Sequence, residues 1–373
     1  MRIVILGLSI TSSWGNGHAT TYRSLMRELV RRGHDVLFLE RDQPWYAQNR
    51  DLPHPPFGRT QLYNSVRDLK SRFADEITGA DCVIVGSFVP DGKTIGKWVT
   101  SSASGVTAFY DIDTPITLEK IARGACDYLS SDLIERYDIY LSFTGGPTLD
   151  LIEQEYGSPM ARALFCSVDP AQYFPEHRKR KWALGYLGTF GEDRQPKLNS
   201  LLLAPATMCL SGRFVVAGPQ YPKGIWWPSN VERITHLSPS KHRKFYNSQR
   251  FTLNLTRAAM VRAGYSPSVR LFEAASCGTP IISDDWPGLK TLFRPGEEIF
   301  VAKNAREVLN ILQKVPEHLA REIGSRGRER VLRQHTSSHR AAELERFIGA
   351  ARKPAANRTH FVPVEINQEE VLL

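Results

Sequence analysis

Short runs rich in β-branched and aromatic residues, each followed by a longer stretch of helical periodicity, recur along this 373-residue chain and constrain its fold more than any other feature. In the first half the runs are 2–8 (RIVILGL), 35–40 (DVLFLE), 81–86 (DCVIVG), 106–111 (VTAFYD) and 138–143 (DIYLSF), with helix-like segments at 19–32, 59–77, 91–101 and 115–124. A strand that is apolar at consecutive positions is buried on both faces, so the pattern predicts a parallel sheet covered by helices on either side. The rhythm pauses at 166–181, where CSVDPAQYFPEHRKRK brings two prolines and a basic cluster, and resumes with strands expected at 182–187, 213–217, 231–236, 251–255, 280–283 and 298–301. The chain is also longer than one compact core usually organises. The predicted organisation is an α/β protein of two Rossmann-like, doubly wound domains, 1–170 and 182–335, joined by a linker at 171–181 and followed by a C-terminal helix and tail over 336–373.

Open α/β sheets bind ligands beyond the carboxyl ends of their strands, so two such domains are expected to face a central cleft that holds the chemistry. Several function classes drop out on composition. No run approaches the roughly 18 apolar residues of a membrane span, and the N-terminal RIVILGLSI reads as a strand, with no small-residue cleavage site after it. Five cysteines (Cys82, Cys126, Cys166, Cys209, Cys277) lack any CxxC or CxxH spacing, which points to a reduced, cytoplasmic setting and no structural zinc. The formal charge of +9 would suit an anionic partner, but the densest basic runs, 177–181 and 241–244, carry no interleaved aromatic platform and read as solvated faces. A nucleic-acid partner is therefore not expected.

Strand ends carry the candidate site residues. After the first run, Ser13-Trp14-Gly15-Asn16-Gly17-His18 leads into an amphipathic helix, so backbone amides can approach a ligand at its positive end. Gly15-x-Gly17-x-x-Thr20 with Glu40 nearly satisfies the dinucleotide fingerprint, which keeps an NAD(P)-dependent oxidoreductase as an alternative; the missing third glycine and the longer loop favour a substrate loop, with Trp14, Gly15, Asn16 and Gly17 at an acceptor. His18, at a helix N-terminus that disfavours imidazolium, is a candidate general base. Phe109-Tyr110-Asp111-Ile112-Asp113-Thr114-Pro115 closes the fourth run with two carboxylates, open to three readings: a metal-binding pair, a base or orienting group for an acceptor hydroxyl, and a helix N-cap. The acceptor role is preferred, with Asp113 catalytic and Asp111 contacting the acceptor. In the second half Gly188, Thr189, Arg194 and Arg257 follow strands where a diphosphate could be received. Ser268 is expected to cap a helix on which Arg270 and Glu273 share a face, the arginine for phosphate and the carboxylate for ribose hydroxyls.

The run LFEAASCGTPIISD at 271–284 resembles the nucleotide-binding helix and following strand of GT-B glycosyltransferases. With FYDIDTP, GTFGEDRQPKL, FVVAGPQYP, LNLTR and GYSPSVRLFEA, the chain is similar to the CgeB-like glycosyltransferases over most of residues 1–335. That resemblance implies the GT-B fold, a nucleoside-diphosphate sugar held by the C-terminal domain, an acceptor approaching from the N-terminal domain, and no essential metal or cofactor. It places Tyr265 and Ser266 with the donor-binding residues and makes Glu273 the ribose acid. Two positions depart from the usual pattern: Tyr265 stands where retaining enzymes commonly carry a second glutamate, and the arginine–lysine pair after the first C-domain strand is replaced by Arg194 and Lys197 in another context. The altered glutamate keeps open a nucleotide-sugar-binding or coat-associated protein without turnover.

Overall fold

The computed structural model describes residues 1–15 and 17–352, in two α/β lobes. Lobe 1 is a seven-stranded sheet of β1 (Arg2–Gly7), β2 (Asp35–Arg41), β3 (Arg59–Tyr63), β4 (Cys82–Gly86), β5 (Val106–Asp111), β6 (Ile139–Ser142) and β7 (Ala161–Ala163). Every pairing is parallel, in the order β3-β2-β1-β4-β5-β6-β7. Lobe 2 contains β8 (Trp182–Leu187), β9 (Phe214–Ala217), β10 (Val231–Ile234), β11 (Gln249–Asn254), β12 (Ile281–Ser283) and β13 (Phe300–Val301), also wholly parallel, in the order β10-β9-β8-β11-β12-β13. The central strands are buried along their length, as β4, β5 and β9 illustrate, and helices cover both faces. Both sheets reverse strand order at their middle, between β1 and β4 and between β8 and β11, so each opens a crevice at its carboxyl edge.

The doubly wound architecture expected from the sequence is the one observed. The segment 59–77, expected to be helical throughout, instead divides into β3 and the helix Val66–Gly79, with the Ser65 side chain capping that helix through the Asp68 amide at 3.0 Å. β3 is an edge strand in which only Tyr63 is buried, so its sequence RTQLY lacks the apolar run that marks its neighbours. The edge strand β7, three residues long, is equally unmarked.

The connection between lobes is tethered along its length. Val168 bridges to Thr336, the Asp169 carboxylate pairs with Arg27, and Tyr173 is buried with its carbonyl accepting from Ser276 Oγ at 2.6 Å. The C-terminal helix Ser337–Ala351 returns to lobe 1 and packs on the helix His18–Arg31, where Glu345 accepts from Arg32 Nε at 2.8 Å and meets His34 Nε2 at 2.6 Å. One hydrophobic cluster consequently runs through both lobes, from Ile3, Tyr22 and Phe38 to Phe272, Leu289 and Ile299. The tail expected from Lys353 onward, and Asn16, lie outside the described residues. Among the described residues no helix is long and apolar enough to cross a membrane, and all five cysteines are free thiols.

Candidate functional site

The carboxyl ends of the two sheets enclose a cleft of about 530 Å³. Lobe 1 contributes residues that follow β1 (Ser13, Gly15, Gly17, His18), β4 (Phe88), β5 (Ile112, Asp113) and β6 (Phe143, Thr144). Lobe 2 contributes those that follow β8 (Gly188, Thr189, Arg194), β9 (Gly218, Pro219), β10 (His236, Leu237) and β11 (Thr256, Arg257), together with Ser266, Ser268, Arg270 and Glu273 at the start of the helix Val269–Ser276. Strand topology, rather than sequence proximity, gathers these positions.

The lobe 2 wall is cationic and rigid. Ser268 occupies the N-cap position, but its hydroxyl does not cap the helix as the sequence suggested; it donates to Asn254 Oδ1 at 2.8 Å. The first turn therefore takes no side-chain acceptor from its own cap residue, and its positive end faces the cleft. Arg270 is fixed in three directions: Nε donates to the Leu187 carbonyl at 2.5 Å, a terminal nitrogen donates to Asn254 Oδ1 at 3.1 Å, and the guanidinium lies 4.7 Å over the Tyr186 ring. Asn254 anchors both Ser268 and Arg270, and in turn donates to Ser283 Oγ at 3.0 Å. Arg194 is held by the Thr189 carbonyl at 2.7 Å, and its buried Nε has no protein partner. Arg257 pairs with Asp193 at 3.3 Å and stays partly exposed. Three guanidiniums beside a helix N-terminus suit a diphosphate. Glu273 is almost fully buried yet lines the same cleft, accepting from the Tyr246 hydroxyl at 2.9 Å.

On the lobe 1 wall, Asp113 sits at the N-cap of the helix Thr114–Ala122, and its carboxylate makes no capping bond. Burial raises its pKa, while the charges of Arg257 and Arg194 across the cleft, and of Lys120, pull it back down. His18 opens the helix His18–Arg31 and packs edge-on against Phe88, ring centroids 5.5 Å apart. Burial holds its imidazole down at about 4, so desolvation keeps the ring neutral.

Not every expected residue reaches the cleft. Asp111 is fully buried, and its carboxylate accepts from Tyr140 Oη at 2.5 Å, Thr117 Oγ1 at 2.8 Å and the Asp113 amide at 3.1 Å, so it is unavailable to an acceptor. Burial lifts its pKa to about 6 even so. The Asp111–Asp113 pair thus does not present two carboxylates to one point, and among the described residues no group of three or more His, Cys, Asp or Glu side chains could hold a metal ion. Tyr265 does not line the donor side either. It adopts φ +48°, and its ring is wedged between Gly146 of lobe 1 and Gly288 of lobe 2, where added Cβ atoms would come within 2.4 Å and 2.7 Å. Ser266 beside it faces the cleft and meets Thr144 Oγ1 at 2.5 Å across the lobes. Trp14 is 40% exposed on the rim, next to the lining residues Ser13 and Gly15. Lys197, weighed as a partner of Arg194, is spent on Asp284. The dinucleotide reading meets a physical objection: Glu40 is wholly buried and saturated by the Ile10 and Thr11 amides at 2.7 and 3.0 Å and by Ser9 and Thr11 hydroxyls at 3.0 and 2.7 Å. It braces the loop and is not free for a ribose. Sequence reasoning missed Asn254, Tyr173, His242 and Tyr246; Asn254 lay inside the strand-end run LNLTR, His242 lay in the run 241–244 expected to be a solvated face but instead lines the cleft, and the two tyrosines carried no motif.

With this geometry in view, residues 194–346 match the family described as Glycosyl transferase-like. No curated protein matches the sequence. Among solved structures, the alpha-glucosyltransferase AGT in complex with UDP superposes with a TM-score of 0.72 at 12% identity, covering 94% of this chain and 100% of that one. Anabaena HepE in complex with UDP-glucose gives 0.69 at 10% identity, with 94% and 100% coverage. Sucrose-phosphate synthase from Thermosynechococcus elongatus gives 0.67 at 15% identity, with 92% and 97% coverage. These likenesses establish the two-lobed GT-B fold over nearly the whole chain, and the match to the Glycosyl transferase-like family falls on the lobe bearing Arg270 and Glu273.

Proposed function

We propose that the enzyme transfers a glycosyl group from a uridine-diphosphate sugar held by lobe 2 to a hydroxyl acceptor entering along lobe 1. The observation that carries this is the convergence of Arg194, Arg257, Arg270 and the N-terminus of the helix Val269–Ser276 on one wall, facing Asp113 and His18 on the other. The uridine base is favoured because AGT and HepE, which share the fold, are described in complex with UDP or UDP-glucose. Within the glycosyltransferases, the quoted motifs favour the CgeB-like type, and the unpaired cysteines favour a cytoplasmic setting.

In this reading the fixed guanidiniums and the helix end stabilise the charge that develops on the departing diphosphate, in a site that needs no reorganisation at the moment of reaction. No divalent metal is required, since that charge already has protein partners. Asp113 takes the acceptor hydroxyl's proton: its raised pKa makes it a stronger base than an exposed carboxylate, and its side chain is free of capping duty. His18, kept neutral by burial, orients the acceptor instead. The test is a transfer assay with UDP-sugars in parallel with binding of UDP, GDP and NADH. Binding of UDP with hydrolysis or transfer of its sugar is expected; preference for NADH, or tight UDP binding with no turnover on any acceptor, overturns the proposal.

A further inference from the structure

Glu273 sits in a side-chain cluster that the phosphate-binding machinery does not explain. Tyr246, on the helix Pro239–Asn247, donates to Glu273 Oε2 at 2.9 Å. Tyr173, from the connection between the lobes, places its hydroxyl 3.4 Å from His242 Nδ1, close enough to Glu273 for that carboxylate to raise its pKa. His242 Nδ1 is itself 3.5 Å from Glu273 Oε2, while its Nε2 meets the Leu237 carbonyl at 3.2 Å. The main chain reinforces the arrangement, because Ser276, one turn beyond Glu273, donates to the Tyr173 carbonyl at 2.6 Å.

Both phenols are buried, and burial together with the neighbouring Glu273 charge pushes their pKa values well above the ordinary phenol value. They therefore remain O–H donors across any working pH. A buried carboxylate needs hydrogen-bond donors to hold it in place. Tyr246 occupies one position on Glu273 Oε2, and a carboxylate has lone pairs beyond those a single phenol uses.

We propose that Tyr246 and Tyr173 are positioning residues for nucleotide recognition: they hold the Glu273 carboxylate in one orientation, so that it can accept both hydroxyls of the donor ribose. This rests on the reading of Glu273 as the ribose acid. It also gives the connection between lobes a part in donor binding, since Tyr173 stands within it.

The experiment measures affinity of the purified enzyme and its Y246F, Y173F and E273Q variants for UDP and for 2′,3′-dideoxyuridine diphosphate, which lacks the hydroxyls. Y246F is expected to weaken UDP about tenfold, as loss of one bond to a charged group implies, and to leave the dideoxy nucleotide within twofold of wild type; Y173F follows in the same direction. Retained dideoxy binding also reports that the variant is folded. If E273Q lowers UDP affinity selectively but both phenylalanine variants treat the two nucleotides alike, the positioning role is refuted and the ribose reading stands. If E273Q itself fails to discriminate between them, the assignment of Glu273 falls, and the positioning role with it.

Discussion

A single added methyl at Gly188 tests whether Arg270 grips the donor. A Cβ there would stand 2.5 Å from Tyr186 Oη and 2.9 Å from a terminal nitrogen of Arg270, where ordinary contact begins at 3.4 Å. The arginine must then retreat by about 0.5 Å and the phenol by more. Tyr186 is 1% exposed and carries the guanidinium on its ring face, so it has no room to yield without moving Arg270 further. Gly188 is not among the residues at positive φ, so alanine is accepted by the backbone and the perturbation is confined to this contact. Losing one charge-assisted contact to a diphosphate is worth about 1.5–3 kcal/mol, or roughly 10- to 150-fold in Kd. Calorimetric titration of Gly188→Ala with UDP should show that loss. Gly17→Ala is the matched control: it adds the same methyl on the opposite wall, where nothing lies within 4 Å, and should bind UDP within twofold of wild type. Equal affinity in the two variants would refute the role given to Arg270.

Other outcomes follow from the same structure. Asp113→Asn should cut sugar transfer by about 10²–10⁴-fold, the usual worth of a positioned base, while UDP affinity changes little; wild-type kcat/KM should rise with pH through a pKa above the ordinary aspartate value, and that rise should vanish in the variant. His335 accepts from Arg340 at 2.8 Å, and burial with the charges of Arg340 and Arg330 holds its imidazole down at about 3. Because the folded value lies below the unfolded one, its contribution to stability is complete above about pH 6.5 and lost as pH falls toward 3; between pH 7.5 and 5 the loss is about 2 kcal/mol. Denaturant melts of wild type and His335→Asn should converge by that amount over the interval. Gly146→Ala forces a methyl to within 2.4 Å of the Tyr265 ring from a residue at φ +60°, and should lower the melting temperature by several degrees. Treatment with EDTA should leave the transfer rate unchanged; abolition, restored by Mn²⁺, would reverse the proposed metal independence.

How much of this was legible in the sequence depends on whether a residue's role is local. β1, β4, β5 and β9 announce themselves because burial on both faces makes them apolar at most consecutive positions, whereas β3 at a sheet edge buries only Tyr63 and reads as part of a helix. Strand ends could be located, so Asp113 was found at the cleft by topology, and Arg270 and Glu273 by their three-residue spacing on the helix that opens there. Orientation could not: Asp111 and Asp113 share a motif, yet Tyr140 and Thr117 draw one carboxylate into the core while the other faces the cleft. Glu40 fits a nucleotide fingerprint by spacing and is consumed by its own loop. Tyr173 and Tyr246 are separated in sequence from Glu273 and meet it only through packing, which no spacing rule encodes.

The return of the helix Ser337–Ala351 to lobe 1 has a practical bearing on how the polypeptide can be divided. A fragment cut near residue 181 would deprive the first lobe of the partner that covers the helix His18–Arg31 and of the Glu345 contacts to Arg32 and His34. The remaining piece would carry Leu344 and Ile348 on an amphipathic segment with nothing to shelter it. Both pieces would expose apolar surface that the intact chain covers, so the seam between these two helices helps to keep the donor-binding and acceptor-facing surfaces opposed.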